Sequence, residues 1–230
     1  MMKKWFIAAA TALTLCSLGI EPVRAGTIFT DNFDTGASSL WGNEIGNWAG
    51  SGGTYDSAFP NNFPNAHSSL PFVLSDFSID LDINNVENGG VWLRSTEAPG
   101  TSIGRTGVLL TTAQGGIYWH IVTDPNNYGD IFEFAPNLYN PGVSDINLHI
   151  EVSGNTYSAF LNGASTPVTT LIDIDENFAS GQIALYDNSN QTFDNIGVET
   201  PDPVPEPSMS ILLTLIGAGV VRRVRSRSQQ

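Results

Sequence analysis

At 230 residues with 23 acidic side chains against nine Lys and Arg, a formal charge of −14, the chain is long enough for one domain with a sizeable core. It is too acidic to hold nucleic acid or an anionic lipid surface. The imbalance is sharpest between Gly26 and Thr200, where twenty Asp and Glu face only two cations, Arg94 and Arg105, leaving −18. Two physical readings of that excess stand together: solubility outside the cell, and binding of Ca²⁺, which favours clustered oxygen ligands.

The first element in chain order is a leader. Lys3 and Lys4 precede an apolar stretch from Trp5 to Ile20, and Val23-Arg24-Ala25 follows as a small-residue cleavage site. This is the pattern of a secretory signal peptide over 1–25, cut by signal peptidase between Ala25 and Gly26. The single cysteine, Cys16, sits behind Leu15, where a lipidation motif needs Gly, Ala or Ser. The mature chain is therefore expected to carry no thiol and no disulfide. A domain of this size can fold on its core alone.

Residues 26–200 read as nearly all β. Phe77-Ser78-Ile79-Asp80-Leu81-Asp82-Ile83-Asn84 alternates apolar and polar without a fault, the period of an antiparallel strand with one buried face. Further strands are predicted at 90–95, 107–112, 116–123, 131–134, 146–153, 156–161, 181–187 and 191–199. Gly154-Asn155 separates two of them as a hairpin turn, and Asn88-Gly89-Gly90 marks another turn. No helical period and no internal repeat interrupts the series. Many short strands without helices predict a two-sheet sandwich or barrel.

The end of the chain is organised differently. Residues 201–207 form a linker ending in Val204-Pro205-Glu206-Pro207. An uncharged apolar run follows, Met209 to Val221, and then a basic knot of Arg222, Arg223, Arg225 and Arg227. Thirteen residues in a helix span roughly 20 Å, short of the ~30 Å hydrocarbon core. Four arginines on one side would hold that end in the cytoplasm, and their stems can snorkel to relieve the mismatch. The reading is a short transmembrane helix over 208–221 and a basic cytoplasmic tail over 222–230.

Motif, apolar run and arginine cluster in this order resemble the PEP-CTERM sorting tail of exported bacterial proteins. The resemblance implies a transient anchor in the inner membrane, cut near Glu206 by an exosortase, and delivery to the cell envelope or extracellular matrix. The alternative is a plain single-span anchor that is never cut. The domain ahead of the tail resembles the concanavalin A-like lectin/glucanase jelly roll, the group that includes laminin-G-like domains. The resemblance rests on Asp31-Asn32-Phe33-Asp34 with Trp41, Trp48 and Gly53-Thr54-Tyr55; on the hairpin Val152 to Gly163; and on Gly181 to Asp187 with Thr192-Phe193-Asp194-Asn195-Ile196-Gly197-Val198. It implies an antiparallel two-sheet jelly-roll sandwich, with one sheet forming a ligand groove.

A glucanase of this group would carry Glu-x-Asp-x-x-Glu on one strand. In Leu171-Ile172-Asp173-Ile174-Asp175-Glu176 the nucleophile position is a leucine, which cannot attack an anomeric carbon. We therefore expect no catalytic residue there. Asp80 and Asp82 share a strand face, as an acid pair or as the solvated side of the strand. His67, His120 and His149 fall in no metal-ligand spacing. Sugar binding fits the residues better, because aromatic faces and hydrogen-bonding side chains recur on shared strand faces. Alternation groups Trp92 with Arg94, Tyr118 with His120, and His149 with Glu151; if their strands lie in one sheet, all six line one groove. From the resemblance, Asp31, Asp34 and Asp194 are candidates for a Ca²⁺ site, because first and last strands commonly pair in this fold. Three functions follow: a polysaccharide-binding envelope protein, a structural matrix protein without a specific ligand, and a glycoside hydrolase with an unrecognised site.

Overall fold

The computed structural model describes residues 25–201, and every element in it is a strand. In chain order these are β1 (Ala25–Asp31), β2 (Trp48–Ser51), β3 (Thr54–Ser57), β4 (Ala66–Ser69), β5 (Phe77–Asn84), β6 (Gly89–Glu97) and β7 (Arg105–Ala113). They continue with β8 (Gly116–Val122), β9 (Ile131–Ala135), β10 (Ile146–Ser153), β11 (Thr156–Leu161), β12 (Thr169–Ile172), β13 (Gln182–Asp187) and β14 (Thr192–Pro201). Among the described residues no helix is long and apolar enough to cross a membrane. The leader up to Arg24, the linker from Asp202 with its motif, the expected span and the arginine cluster lie outside the described residues.

Two antiparallel sheets result. One runs β12-β11-β10-β5-β14-β3-β2, with β1 also paired to β14, and has eight strands. The other runs β4-β13-β6-β7-β8-β9. First and last strands pair as the resemblance implied: Gly26 lies opposite Thr200 and Asp31 opposite Ile196. The domain thus begins and ends at one pole of the sandwich.

The alternation in β5 is realised in full. Phe77, Ile79, Leu81 and Ile83 enter the core, and Ser78, Asp80, Asp82 and Asn84 stay half-exposed. From β10, Ile146, Leu148, Ile150 and Val152 join them; from the opposite sheet come Val91, Leu93, Val108, Leu110, Ile117 and Trp119. Each such side chain removed from water contributes about 1.5–3 kcal/mol. The aromatic residues near the N-terminus extend this core, with Phe33 stacked on Tyr55 at 5.0 Å and Trp48 packed on Tyr55 and Phe193.

A second, smaller core lies on the outer face of the six-stranded sheet. It is made by Trp92, Leu109, Val122, Ala184 and Tyr186, with Ile103 and Tyr128 closing over it from loops. The Trp92 indole donates to Asn65 Oδ1 at 2.8 Å, and Asn65 in turn bonds the Tyr128 hydroxyl. Tyr128 and Tyr186 both donate to Asn62 Oδ1. The loop over 58–65 is therefore pinned to the sheet by one buried and three part-buried polar contacts.

Strand β6 breaks its own alternation. Between Leu93 and Thr96 the register shifts against β7, and it shifts against β13 at the same place. Arg94, at φ 45°, is the bulged residue. A glycine stands on each side of it. A Cβ at Gly107 would meet Ser95 Cα at 2.7 Å, and one at Gly181 would meet the Arg94 carbonyl carbon at 2.3 Å. Only the missing side chains let both neighbouring strands close on the bulge.

Candidate functional site

The bulge turns Arg94 away from Trp92. Trp92 stays on the outer face, while Arg94 swings to the opposite side, towards a cleft at the pole of the sandwich. This corrects the expected shared face, since the bulge inserts a residue and reverses the alternation.

The cleft encloses about 360 Å³. Ser75 and Asp76 enter from the segment before β5, Asn155 from the β10–β11 turn, and Asp173, Glu176 and Phe178 from the segment after β12. Arg94 is its floor and is 3 % exposed. Its Nε donates to Ser75 O at 2.6 Å, Nη1 to Phe178 O at 3.0 Å and to the Tyr157 hydroxyl at 3.3 Å, and Nη2 to Asp76 Oδ1 at 3.1 Å. The guanidinium also lies over the Tyr157 ring, 5.3 Å from its centroid. Four of its five N–H donors are engaged. Arg94 is a clamp that holds three segments around the cleft.

The carboxylates of the cleft divide by what they touch. Asp173 is 1 % exposed and accepts from Asn177 N and Asn177 Nδ2, each at 2.8 Å. It closes the turn after β12. Asp76 uses Oδ1 for Arg94 and for Gly154 N at 3.0 Å, which leaves Oδ2 at the mouth. Glu176 is exposed at the rim with φ 50°. Leu171, at the nucleophile position of the glucanase pattern, is 1 % exposed and part of the core.

The other expected residues lie elsewhere. His149 and Glu151 belong to β10, in the eight-stranded sheet, whereas Trp92, Tyr118 and His120 belong to the six-stranded sheet. A single groove from all six is therefore excluded by the strand order. His149 and Glu151 stand on the outer face of their sheet, where Nδ1 of His149 meets Asp80 Oδ1 at 2.8 Å and Nε2 lies 3.4 Å from Glu151 Oε1. Asp82 there accepts from Asn147 Nδ2 and Asn195 Nδ2, both at 2.9 Å. Asp80 and Asp82 are thus the solvated side of the strand. Tyr118 stacks on the exposed Phe134, with centroids 6.0 Å apart, and His120 packs on Tyr128. Burial pushes the His120 imidazole below its ordinary pKa.

Asp31, Asp34 and Asp194 do not fit a Ca²⁺ site. Asp31 spends its oxygens on Phe33 N, Ser38 N and the Trp41 indole. Asp34 accepts from Asn32 and Asp194 from Asn195, their own neighbours. Among the described residues no three His, Cys, Asp or Glu side chains converge as metal ligands.

No protein-family model matches the chain, and no curated protein matches it. Solved structures do. A Bacillus subtilis protein of unknown function with a galectin-like fold aligns at TM-score 0.57 and 9 % identity, over 78 % of this chain and 99 % of that one. A kappa-carrageenase of Zobellia galactanivorans aligns at 0.52 and 10 %, over 79 % and 97 %. The VIP36 exoplasmic/lumenal domain in its Ca²⁺/Man3GlcNAc-bound form aligns at 0.50 and 11 %, over 76 % and 88 %. Likeness at these identities speaks for the fold. The chain has the two-sheet, jelly-roll-like β-sandwich of galectin-like and concanavalin A-like proteins.

Proposed function

We propose that this chain is an exported envelope or extracellular-matrix protein, sorted by a PEP-CTERM tail and cut by an exosortase, whose β-sandwich binds polysaccharide without hydrolysing it. The observation that carries the binding reading is the cleft beside Arg94, of mixed polar and apolar lining. Its volume falls in the range of small-ligand pockets. Asp76, Asn155 and Ser75, whose side chains carry a carboxylate, an amide and a hydroxyl, line it together with Phe178. Hydroxyl-rich ligands are bound by such sets. The fold is consistent with it, because two of the similar structures are a polysaccharide-degrading enzyme and a glycan-bound lumenal domain.

The non-catalytic part of the proposal rests on Leu171 and Asp173. The first is core, and the second has both oxygens committed to Asn177. The structural-matrix alternative draws support from the outer face of the six-stranded sheet, where Trp92 and the pinned loop fill the space a groove would need. The sorting part rests on the residues of the two ends, with β1 and β14 pairing between them.

The sandwich over 26–201 encloses its own core and pairs its own termini, so it can be produced alone. Calorimetry against a polysaccharide panel, with a reducing-sugar assay on the same samples, tests binding and hydrolysis. Saturable binding that Glu176→Ala weakens at least tenfold, with no sugar released, is expected. For the tail, mass spectrometry of the exported protein is expected to find a C-terminus near Glu206. Intact Arg222 to Arg227 in the envelope fraction would refute processing.

A further inference from the structure

The mature sandwich has almost no cationic surface. Between Gly26 and Thr200 the sequence holds no lysine and two arginines. Arg105 is fully buried, donating to Ser95 Oγ and Gln182 Oε1, and Arg94 is 3 % exposed with its donors spent on Ser75, Phe178, Tyr157 and Asp76. An acidic polymer such as a uronate or sulfated glycan is held by pairing each anion with an Arg or Lys fork or ammonium. Among the described residues only Arg94 reaches ligand space, at the cleft floor, with four of its five N–H donors engaged and Asp76 as its counter-ion. The three histidines do not replace them. His67 is fully buried, His120 is packed on Tyr128, and His149 already lies between Asp80 and Glu151.

The cleft has the opposite bias. Arg94 is neutralised locally by Asp76 through Oδ1, while Asp173 and Glu176 line the same cleft without a cation partner among the described residues. A ligand group entering there meets acceptors and negative charge. We propose that the cleft takes an amine-bearing sugar of the glucosamine type in preference to its neutral counterpart, and rejects acidic sugars. The proposal rests on the reading of the cleft as a glycan site and adds the charge class of its ligand. A hydroxyl or acetamide already makes a charge-assisted hydrogen bond to an ionised carboxylate, and a protonated amine adds the attraction of an opposite charge to it.

The test is titration of the 26–201 domain with short oligosaccharides matched in length: glucosamine, N-acetylglucosamine and glucuronate oligomers, at physiological salt to suppress non-specific attraction. The amine series is expected to bind about tenfold tighter than the acetylated series, and the acidic series not at all. Glu176→Gln and Asp76→Asn are each expected to narrow the amine preference. Glu87→Gln, with the same charge change just past the Asn84 end of β5 while Asp76 precedes its Phe77 end, is expected to leave it intact. Equal affinity for amine and acetylated sugars would overturn the proposal while leaving glycan binding in place. So would a preference that responds to Glu87→Gln as much as to Glu176→Gln. Tight binding of the acidic series would overturn it in the same way. Failure of every series to bind would overturn the glycan reading itself, and the proposal with it.

Discussion

Replacing Arg94 asks most of the structure. In Arg94→Ala, Ser75 O, Phe178 O and the Tyr157 hydroxyl lose their donor, Asp76 loses its ion-pair partner, and the Tyr157 ring loses its cation. The three neutral acceptors account for about 1 kcal/mol each, because the cleft admits water to re-solvate them. The Asp76 pair adds less, since the Asp76 side chain is 47 % exposed. The expected loss is about 3–4 kcal/mol. At about 2–4 °C per kcal/mol for a domain of this size, melting falls by about 10 °C. Backbone strain separates the side chain's contribution from the bulge's. At φ 45° an alanine remains strained where a glycine is not, so Arg94→Gly is expected to lose about 1 kcal/mol less than Arg94→Ala. Arg94→Lys keeps the charge but offers one ammonium in place of a fork, and is expected to recover about 1 kcal/mol at most. Urea unfolding of the four proteins at pH 7 measures all of this. A loss below about 1 kcal/mol in Arg94→Ala, or a glycine variant worse than the alanine variant, would refute the clamp.

Two buried groups predict opposing pH effects. Burial lifts the Asp187 carboxyl from 3.8 to about 7, with Asp56 nearby adding to the rise. The folded state therefore keeps a proton that the unfolded chain has lost, and this contribution is full below about pH 4 and lost as pH rises through about 7. At about 1.4 kcal/mol per pH unit the change is about 4 kcal/mol, so Asp187→Asn is expected to melt higher than the parent at pH 8 and no higher at pH 4. Burial, and then the charge of Arg105, hold His67 down at about 4; its contribution is present above 6.5 and lost as pH falls through about 4. The two slopes oppose each other, so the parent's melting profile between pH 4 and 7 is expected to be flatter than that of either Asp187→Asn or a His67→Gln variant. Trp92→Ala is expected to lose about 3–5 kcal/mol by emptying the second core, with far-ultraviolet and thermal changes at least as large as any change in ligand affinity; a stable Trp92→Ala domain that had lost only binding would restore Trp92 to a ligand site.

Much of the fold was legible because the strands that form its centre alternate cleanly. β5, β10 and β11 lie where the pattern put them, residue for residue. The four-residue strands β2, β3, β4 and β12 escaped notice. Ala66 to Ser69, for instance, is buried at every position and so has no period to detect. Gly89 read only as a turn and Gly90 as both turn and strand, yet both lie inside β6, where a Cβ at Gly90 would strike Leu110 O. The site was less legible, for two physical reasons. Alternation says which residues share a strand face but not which strands share a sheet, and β10 and β8 are in different ones. A bulge is invisible to a period-two reading, so Arg94 was grouped with Trp92. The signal that could have found the cleft was charge: Arg94 is one of two cations in a strongly acidic domain, and such a residue is rarely buried without a framework of acceptors around it. The cleft itself draws on Asp76, Arg94, Asn155 and Glu176, from four separate stretches of chain, and only the tertiary fold brings them together.

The proposed function places a sugar in the cleft beside Arg94. Calorimetric titration of the 26–201 domain and its Glu176→Ala variant with the same oligosaccharide panel tests it most directly, because Glu176 sits at the rim and its removal leaves the clamp intact. Saturable binding to the parent, at least tenfold weaker in the variant at unchanged melting temperature, is the predicted result. Binding of equal strength in both proteins would place the sugar elsewhere on the sandwich and contradict the account.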